Sequence, residues 1–554
     1  MRMLIVGGYG TFGGRTVELL EHDPRLTLIV AGRSFEKARA YCAQRHATGA
    51  KLEPAQFDRN GDLAAQIGSL KPDLLLDASG PFQAYGIGGY CLVEAAIDAR
   101  VHYLDLADGA AFVAGVNAYD SLAREAGIYA LSGVSSFPVL TAAVVRRLSE
   151  GLARLDEISG GIAPSPFAGV GENVIRAIAS YAGQPVAHLG RTAKTIGHPF
   201  TQQRRYTIAP PGRLPLRSTM FSLVDVPDLS VLSTLWPQVK RVWMGAGPVP
   251  EILHRALISL SWAVRIGIVR SLAPLAPIMH WATNRLRWGE HRGGMFVEVK
   301  GSRADGEQET RSWHLLAEGA DGPLIPSMAV QAIVQKHLDG LPPRTGARAC
   351  VDDVELADYE RLFEARTIYT GARAPIPSGA PLYRRILGGA WEELPTRVRD
   401  IHNRVAVADG TASVERGRHP LAWLAARMMS FPPAASQTPV RVRFTADGRV
   451  EQWSRAFGEH TFSSRQYEGA GRSERLLVER FGALEFAMAL VLEGDRLRLV
   501  ARRWRAFGVP LPLWLAPRSV AYEAAENGVF QFFVEISHPL CGLIVRYKGW
   551  LKPD

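Results

Sequence analysis

The sequence predicts an α/β protein that turns β-rich towards its C-terminus, and three observations carry that prediction. Over residues 1–150, short apolar runs alternate with helical segments, the pattern of a parallel sheet covered by helices. A glycine cluster follows the first apolar run directly. From residue 440 onwards, runs with a strict two-residue period take over, as expected for antiparallel strands with one buried face. The 554 residues allow about three domains. A composition 47% hydrophobic, 21% charged and 9% aromatic supplies ample core and excludes wholesale disorder.

In chain order, the apolar runs at 3–6, 26–31, 73–78, 101–104 and 128–131 read as parallel strands, with helices at 38–45, 61–70, 90–99 and 119–126. Residues 151–328 form a second α/β domain: a helix near 172–181, proline-rich loops, and alternating runs at 295–300 and 310–316 that flank a polar turn as a hairpin. The stretch 371–381, with Pro375, Pro377 and Gly379, reads as a linker. Beyond it, residues 382–554 open with a helical segment and become an antiparallel meander, an α+β domain with a sheet that curves around a pocket. Asp447-Gly448 and Gly494-Asp495 mark two of its hairpins.

The glycine cluster Gly7-Gly8-Tyr9-Gly10-Thr11-Phe12-Gly13 fills G-x-G-x-x-G with Gly8, Gly10 and Gly13 at a strand-to-helix junction. There, Gly8 permits a tight turn, Gly10 lets the backbone approach a pyrophosphate, and Gly13 lets the helix pack on the strand. Thr11 and Phe12 open the helix whose N-terminal amides and positive dipole end face an anion. Residues 1–150 are therefore a Rossmann dinucleotide-binding domain. Twenty residues beyond Gly13, where a carboxylate would select NAD, the chain has Gly32-Arg33-Ser34. Arg33 attracts a 2′-phosphate that a carboxylate would repel, so NADP is preferred to NAD.

These motifs resemble those of the saccharopine dehydrogenase-like (saccharopine reductase-like) oxidoreductases. The resemblance runs on through Asp77-Ala78-Ser79-Gly80-Pro81-Phe82, Cys91-Leu92-Val93-Glu94-Ala95-Ala96, His102-Tyr103-Leu104-Asp105-Leu106-Ala107-Asp108 and Gly133-Val134-Ser135-Ser136-Phe137-Pro138, and covers about residues 1–365. It implies a Rossmann domain, a second domain around an antiparallel sheet, and a return segment, 329–370, packing on the first. It also implies that Ser79, Gly80 and Pro81 line the nicotinamide side of the crevice. Tyr103, Asp105, Ser135 and Ser136 are then candidates for holding substrate or relaying a proton. No single one is identified as catalytic. Residues 382–554 resemble a bacterial domain of unknown function, through His538-Pro539-Leu540-Cys541-Gly542-Leu543-Ile544-Val545-Arg546-Tyr547-Lys548-Gly549-Trp550.

Several classes are set aside. The net charge of +10 comes without a dense basic run, so nucleic acid is a poor partner. Four scattered cysteines, Cys42, Cys91, Cys350 and Cys541, point to neither a disulfide framework nor a metal cluster and fit a reducing cytoplasm. Tyr-x-x-x-Lys, H-E-x-x-H, Walker A and G-x-S-x-G are absent. Residues 252–289 lack acids and carry five arginines and three tryptophans, but arginines interrupt them too often for a transmembrane helix. They read as an interfacial segment at the inner membrane face, with a lipid-like substrate; the alternatives are a buried helix pair or an oligomer contact such as a homodimer. The expectation is an NADP-dependent oxidoreductase reducing or oxidising a C=C, C=O or C=N bond of a small or lipid-like molecule. Its alternative is a non-catalytic protein that senses NADP or binds a hydrophobic ligand.

Overall fold

Three apolar residues in a row, Leu4-Ile5-Val6, are fully or almost fully buried in the first strand, which can only sit inside a sheet covered on both faces. A computed structural model describes residues 1–46, 49–85, 88–189, 194–403 and 406–553. The strands β1 (Arg2–Val6), β2 (Thr27–Gly32), β3 (Lys51–Gln56), β4 (Leu74–Asp77), β5 (His102–Asp105) and β6 (Tyr129–Ser132) pair in parallel in the order β6-β5-β4-β1-β2-β3. This doubly wound order reverses between β1 and β4, so the ligand crevice opens beyond the carboxyl ends of those two strands.

The return segment completes this sheet. Strand Gly346–Ala349 pairs in parallel with β6, and helix Ile325–Leu338 packs on α1 (Thr11–Leu20). Neither β3 nor Gly346–Ala349 is marked by an apolar run. β3 is an edge strand, half exposed and interrupted by Pro54, and its partner at the other edge has only four residues.

The second sheet is mixed. Strand Arg154–Ala163 lies between Arg241–Ala246, parallel to it, and Arg292–Ser302, antiparallel to it. Arg292–Ser302 forms a long hairpin with Gln308–Glu318. Helix Glu172–Tyr181 spans the residues its periodicity marks out, with Ile175 and Ala179 turned to a small apolar cluster shared with Phe200, Val264 and Leu272.

The chain divides into two units: Met1–Arg204 with Met220–Tyr369, and Arg205–Thr219 with Thr370–Asp554. The expected 371–381 linker begins inside strand Ile368–Arg373. In the second unit, ten antiparallel strands from Val407–Arg416 to Gly542–Pro553 follow one another as a meander, and the last pairs with the first. The sheet is thus a closed barrel. On its wall, Val440 and Val442 turn inwards while Arg441 and Arg443 face outwards. At the Asn527-Gly528 turn both residues have positive φ, 52° and 72°, the geometry that suits a two-residue hairpin.

Candidate active site

The crevice is built from the ends of β1, β2, β4 and β5. Between β1 and α1 the chain turns at Gly7, whose φ is +81°. The left-handed residue is therefore Gly7, one position before Gly8, to which the tight turn was assigned. Gly8 is required for a different reason, since a Cβ there would lie 2.9 Å from the Ile5 carbonyl oxygen. At Gly13 a Cβ would lie 2.2 Å from the Gly7 oxygen. Gly10 is the N-cap of α1 and carries no side chain to satisfy the orphan amides of the first turn. The result is a bare-backbone cradle facing outwards from a helix N-terminus, and the residues present fit a pyrophosphate.

Arg33 emerges exposed just beyond β2. Ser34 caps the helix α2 (Phe35–Ala43), accepting a hydrogen bond from the Lys37 amide. The Tyr9 hydroxyl accepts from the Ser34 amide at 3.1 Å, and a Cβ at Gly32 would strike it. Tyr9, which the glycine pattern treats as a free position, therefore joins the glycine turn to the end of β2.

At the end of β4, the fully buried Asp77 accepts hydrogen bonds from the Ser79 amide and hydroxyl through Oδ1. The Ser79 hydroxyl lies 2.9 Å from that of Tyr85, over whose ring the Arg59 guanidinium sits at 3.3 Å. Burial pushes the Asp77 carboxyl and the Tyr85 phenol up from their ordinary values. The Ser79 Cα lies within 3.1 Å of where a Gly7 side chain would start, so this loop closes directly on the glycine turn.

The four substrate candidates separate. Tyr103 and Asp105 are wholly buried. Asp105 Oδ1 accepts from the Ala107 and Gly133 amides and the Ser132 hydroxyl at 2.8–3.0 Å, binding the ends of β5 and β6 together. Its Oδ2 and the Tyr103 hydroxyl have no hydrogen-bond partner among the described residues. Burial raises the Asp105 carboxyl to about 7. Ser135 is half-buried. Ser136 lines an apolar cavity of about 190 Å³ with Thr11, Phe12, Ile162, Met295 and Leu315.

A second group, scattered in sequence, meets at the Ser79–Gln83 loop. Asn173, on helix Glu172–Tyr181, donates to the Gly80 carbonyl at 2.9 Å, and Gln83 donates to Asp108 at 3.0 Å. Asp108 keeps exposed surface, and burial of its carboxyl pushes it up. Burial, and then Asp108 itself, also push the Asp225 carboxyl up. Both carboxyls act on Tyr181, whose phenol is raised first by burial. For Asp225 a neighbouring like charge adds to burial in disfavouring the ionised form, whereas for Asp108 burial is the cause and the Gln83 hydrogen bond opposes it. Asp108 lay within the quoted motif without being singled out. Asp225, Asn173 and Tyr181 carry no local sequence signal.

Residues 3–131 match the family model of the saccharopine dehydrogenase NADP binding domain, and residues 394–551 match that of a domain of unknown function, DUF4166. The chain thus carries both domains, one at each end. No curated protein matches it. Among solved structures it is similar to apo saccharopine dehydrogenase (L-Glu forming) from Saccharomyces cerevisiae, with 12% identity over 68% of this chain and 100% of that one, TM-score 0.48. It is also similar to biliverdin reductase from Synechocystis sp. PCC 6803, in complex with biliverdin and NADP+, with 14% identity over 62% and 92%, TM-score 0.30.

Proposed function

We propose that this chain, with its saccharopine dehydrogenase-type NADP binding domain, is an NADP-dependent oxidoreductase acting on an apolar or lipid-like molecule. The observation that carries the reading is the side-chain-free cradle at the N-terminus of α1, with exposed Arg33 at the end of the neighbouring strand. Gly8, Gly10, Gly13, Thr11 and Phe12 would hold the pyrophosphate, Arg33 and Ser34 the 2′-phosphate, and Ser79, Gly80 and Pro81 would border the nicotinamide. When bound, the nicotinamide gives or takes a hydride.

The chain's own part is positioning and proton handling. The Ser79 hydroxyl is fixed between Asp77 and Tyr85, which stiffens the wall that the ring would face. Burial pushes up the carboxyls of Asp108, which accepts from Gln83 of that loop, and of Asp225, and Asp108 would deliver a proton to the reduced bond. Asp105, tied through Oδ1 to three donors at the strand ends, would position the loops.

Fluorescence titration with NADPH and NADH tests the cofactor assignment. NADPH binding at least tenfold tighter than NADH supports it, and no binding of either nucleotide overturns it.

A particular observation also favours the membrane surface as the place of work. In helices Glu251–Arg265 and Ala276–Arg285 and the turns beside them, Ile252, Trp262, Ile266, Ile268, Ile278 and Trp281 are each more than 40% exposed. The inner faces of these helices pack through Val264 and Ala276, so the pair is folded, but its outer apolar side chains are left uncovered. With five arginines and no acid within residues 252–289, the outer face suits an anionic bilayer.

A further inference from the structure

The barrel of the second unit contains a cavity that its sequence does not fill. Its volume is about 140 Å³ counted by water centres, space for roughly ten waters, or about 300 Å³ of liquid. This is the lower end of the range of small-molecule pockets. Phe486, Met488, Phe530, Phe532 and Val534 are among its apolar wall residues.

Three features define an occupant. First, two polar atoms on the wall are buried without a hydrogen-bond partner among the described residues: the hydroxyl of Tyr383, 1% exposed, and Oε1 of Gln466, also 1% exposed. A buried polar atom left unpaired is costly, so each is a place where a ligand gains. Second, the ionic groups on the wall are already engaged. Arg455 donates to Glu479 at 3.0 Å and to the Ser464 hydroxyl at 2.8 Å; Glu479 also accepts from Ser464 and Gln466; and Glu523 lies 2.6 Å from His402 Nε2. Among the described wall residues no cation is left over for a carboxylate, and the two glutamates repel one. Third, an exposed apolar surface adjoins the cavity wall in sequence. Helix Pro420–Met428 exposes Leu421, Trp423, Leu424 and Met428, and the chain leaving it supplies Met429 and Phe431 to the cavity wall.

We propose that the barrel is a binding site for a neutral, mainly apolar molecule bearing one hydroxyl, of the long-chain alcohol class. The hydroxyl accepts from Tyr383 and donates to Gln466 Oε1, and the chain lies among the phenylalanines. The site is separate from the dinucleotide crevice and does not depend on the oxidoreductase reading.

The test uses the full-length protein and the neutral fluorophore N-phenyl-1-naphthylamine. Saturable binding near one per chain is expected, with 1-decanol displacing the dye at least tenfold more effectively than decanoate at pH 8. Ala501→Phe and Ala521→Phe, both on the wall, should abolish dye binding while leaving NADPH binding unchanged. Tyr383→Phe should weaken displacement by decanol about tenfold and leave the dye's own affinity alone. The proposal is overturned if no saturable binding is seen, if decanoate competes as well as decanol, or if both cavity-filling variants bind the dye as before. The last result would move the dye to residues 252–289.

Discussion

At the scale of single residues, three groups make distinct predictions. Arg33→Ala should weaken NADPH at least tenfold and NADH less than twofold in a fluorescence titration, since only the former carries the phosphate that Arg33 would meet. Asp108→Asn should leave NADPH affinity intact. Reductive turnover by the parent should fall as pH rises through the elevated titration of the Asp108 and Asp225 carboxyls, and the variant should lose about 100-fold in rate together with that pH dependence. Asp105 behaves differently. Its carboxyl is pushed from 3.8 to about 7, so the stability of its neutral form is complete below about 4 and is lost as pH rises through about 7. Asp105→Asn keeps the acceptor for three donors and removes the charge. It should raise the melting temperature at pH 8 and leave it unchanged at pH 4, with a ceiling of about 4 kcal/mol.

At the scale of elements, the glycine turn leaves least room for change. Gly13→Ala would drive a methyl to 2.2 Å from the Gly7 oxygen, so the start of α1 must shift, and NADPH affinity should drop about 100-fold in the same titration. For the helices at 251–285, replacing exposed Trp262 and Trp281 by serine should reduce co-sedimentation with anionic vesicles at low salt several-fold, and added salt should weaken the parent in the same assay. The sequence made the elements of the crevice legible wherever burial was two-sided, as in β1, or the period was strict, as in helix Glu172–Tyr181 and the 440–457 hairpin. It hid β3 and strand Gly346–Ala349, where edge position and shortness leave no apolar pattern. The same limit applied to the site. Gly8, Gly10 and Gly13 announce themselves by spacing, whereas Asp108, Asp225 and Asn173 meet only because β5, the loop after strand Thr219–Leu223 and helix Glu172–Tyr181 converge in three dimensions.

At the scale of the whole molecule, the C-terminal unit is not a simple tail. It takes in residues 205–219, drawn from the middle of the preceding domain's sequence. The Leu492 amide donates to the Gly212 carbonyl at 2.8 Å, and buried Arg373 donates to that of Ala209. Residues 370–554 produced alone should therefore melt about 10 °C below the same transition in the full chain, two buried hydrogen bonds and their packing having been lost. A synthetic 205–219 peptide should recover part of that difference, and differential scanning calorimetry measures both. The closed barrel itself was legible only as a meander. Closure depends on strand Val407–Arg416 pairing with Gly542–Pro553, more than a hundred residues away, and no local pattern records it.

The borrowed segment bears on heredity as well as stability. A gene that gained or lost the barrel by a single crossover near codon 370 would inherit a unit short of one stretch of chain, or leave that stretch behind with nothing to join. Engineering that transplants the barrel therefore has to carry two pieces of sequence, 205–219 and 370–554.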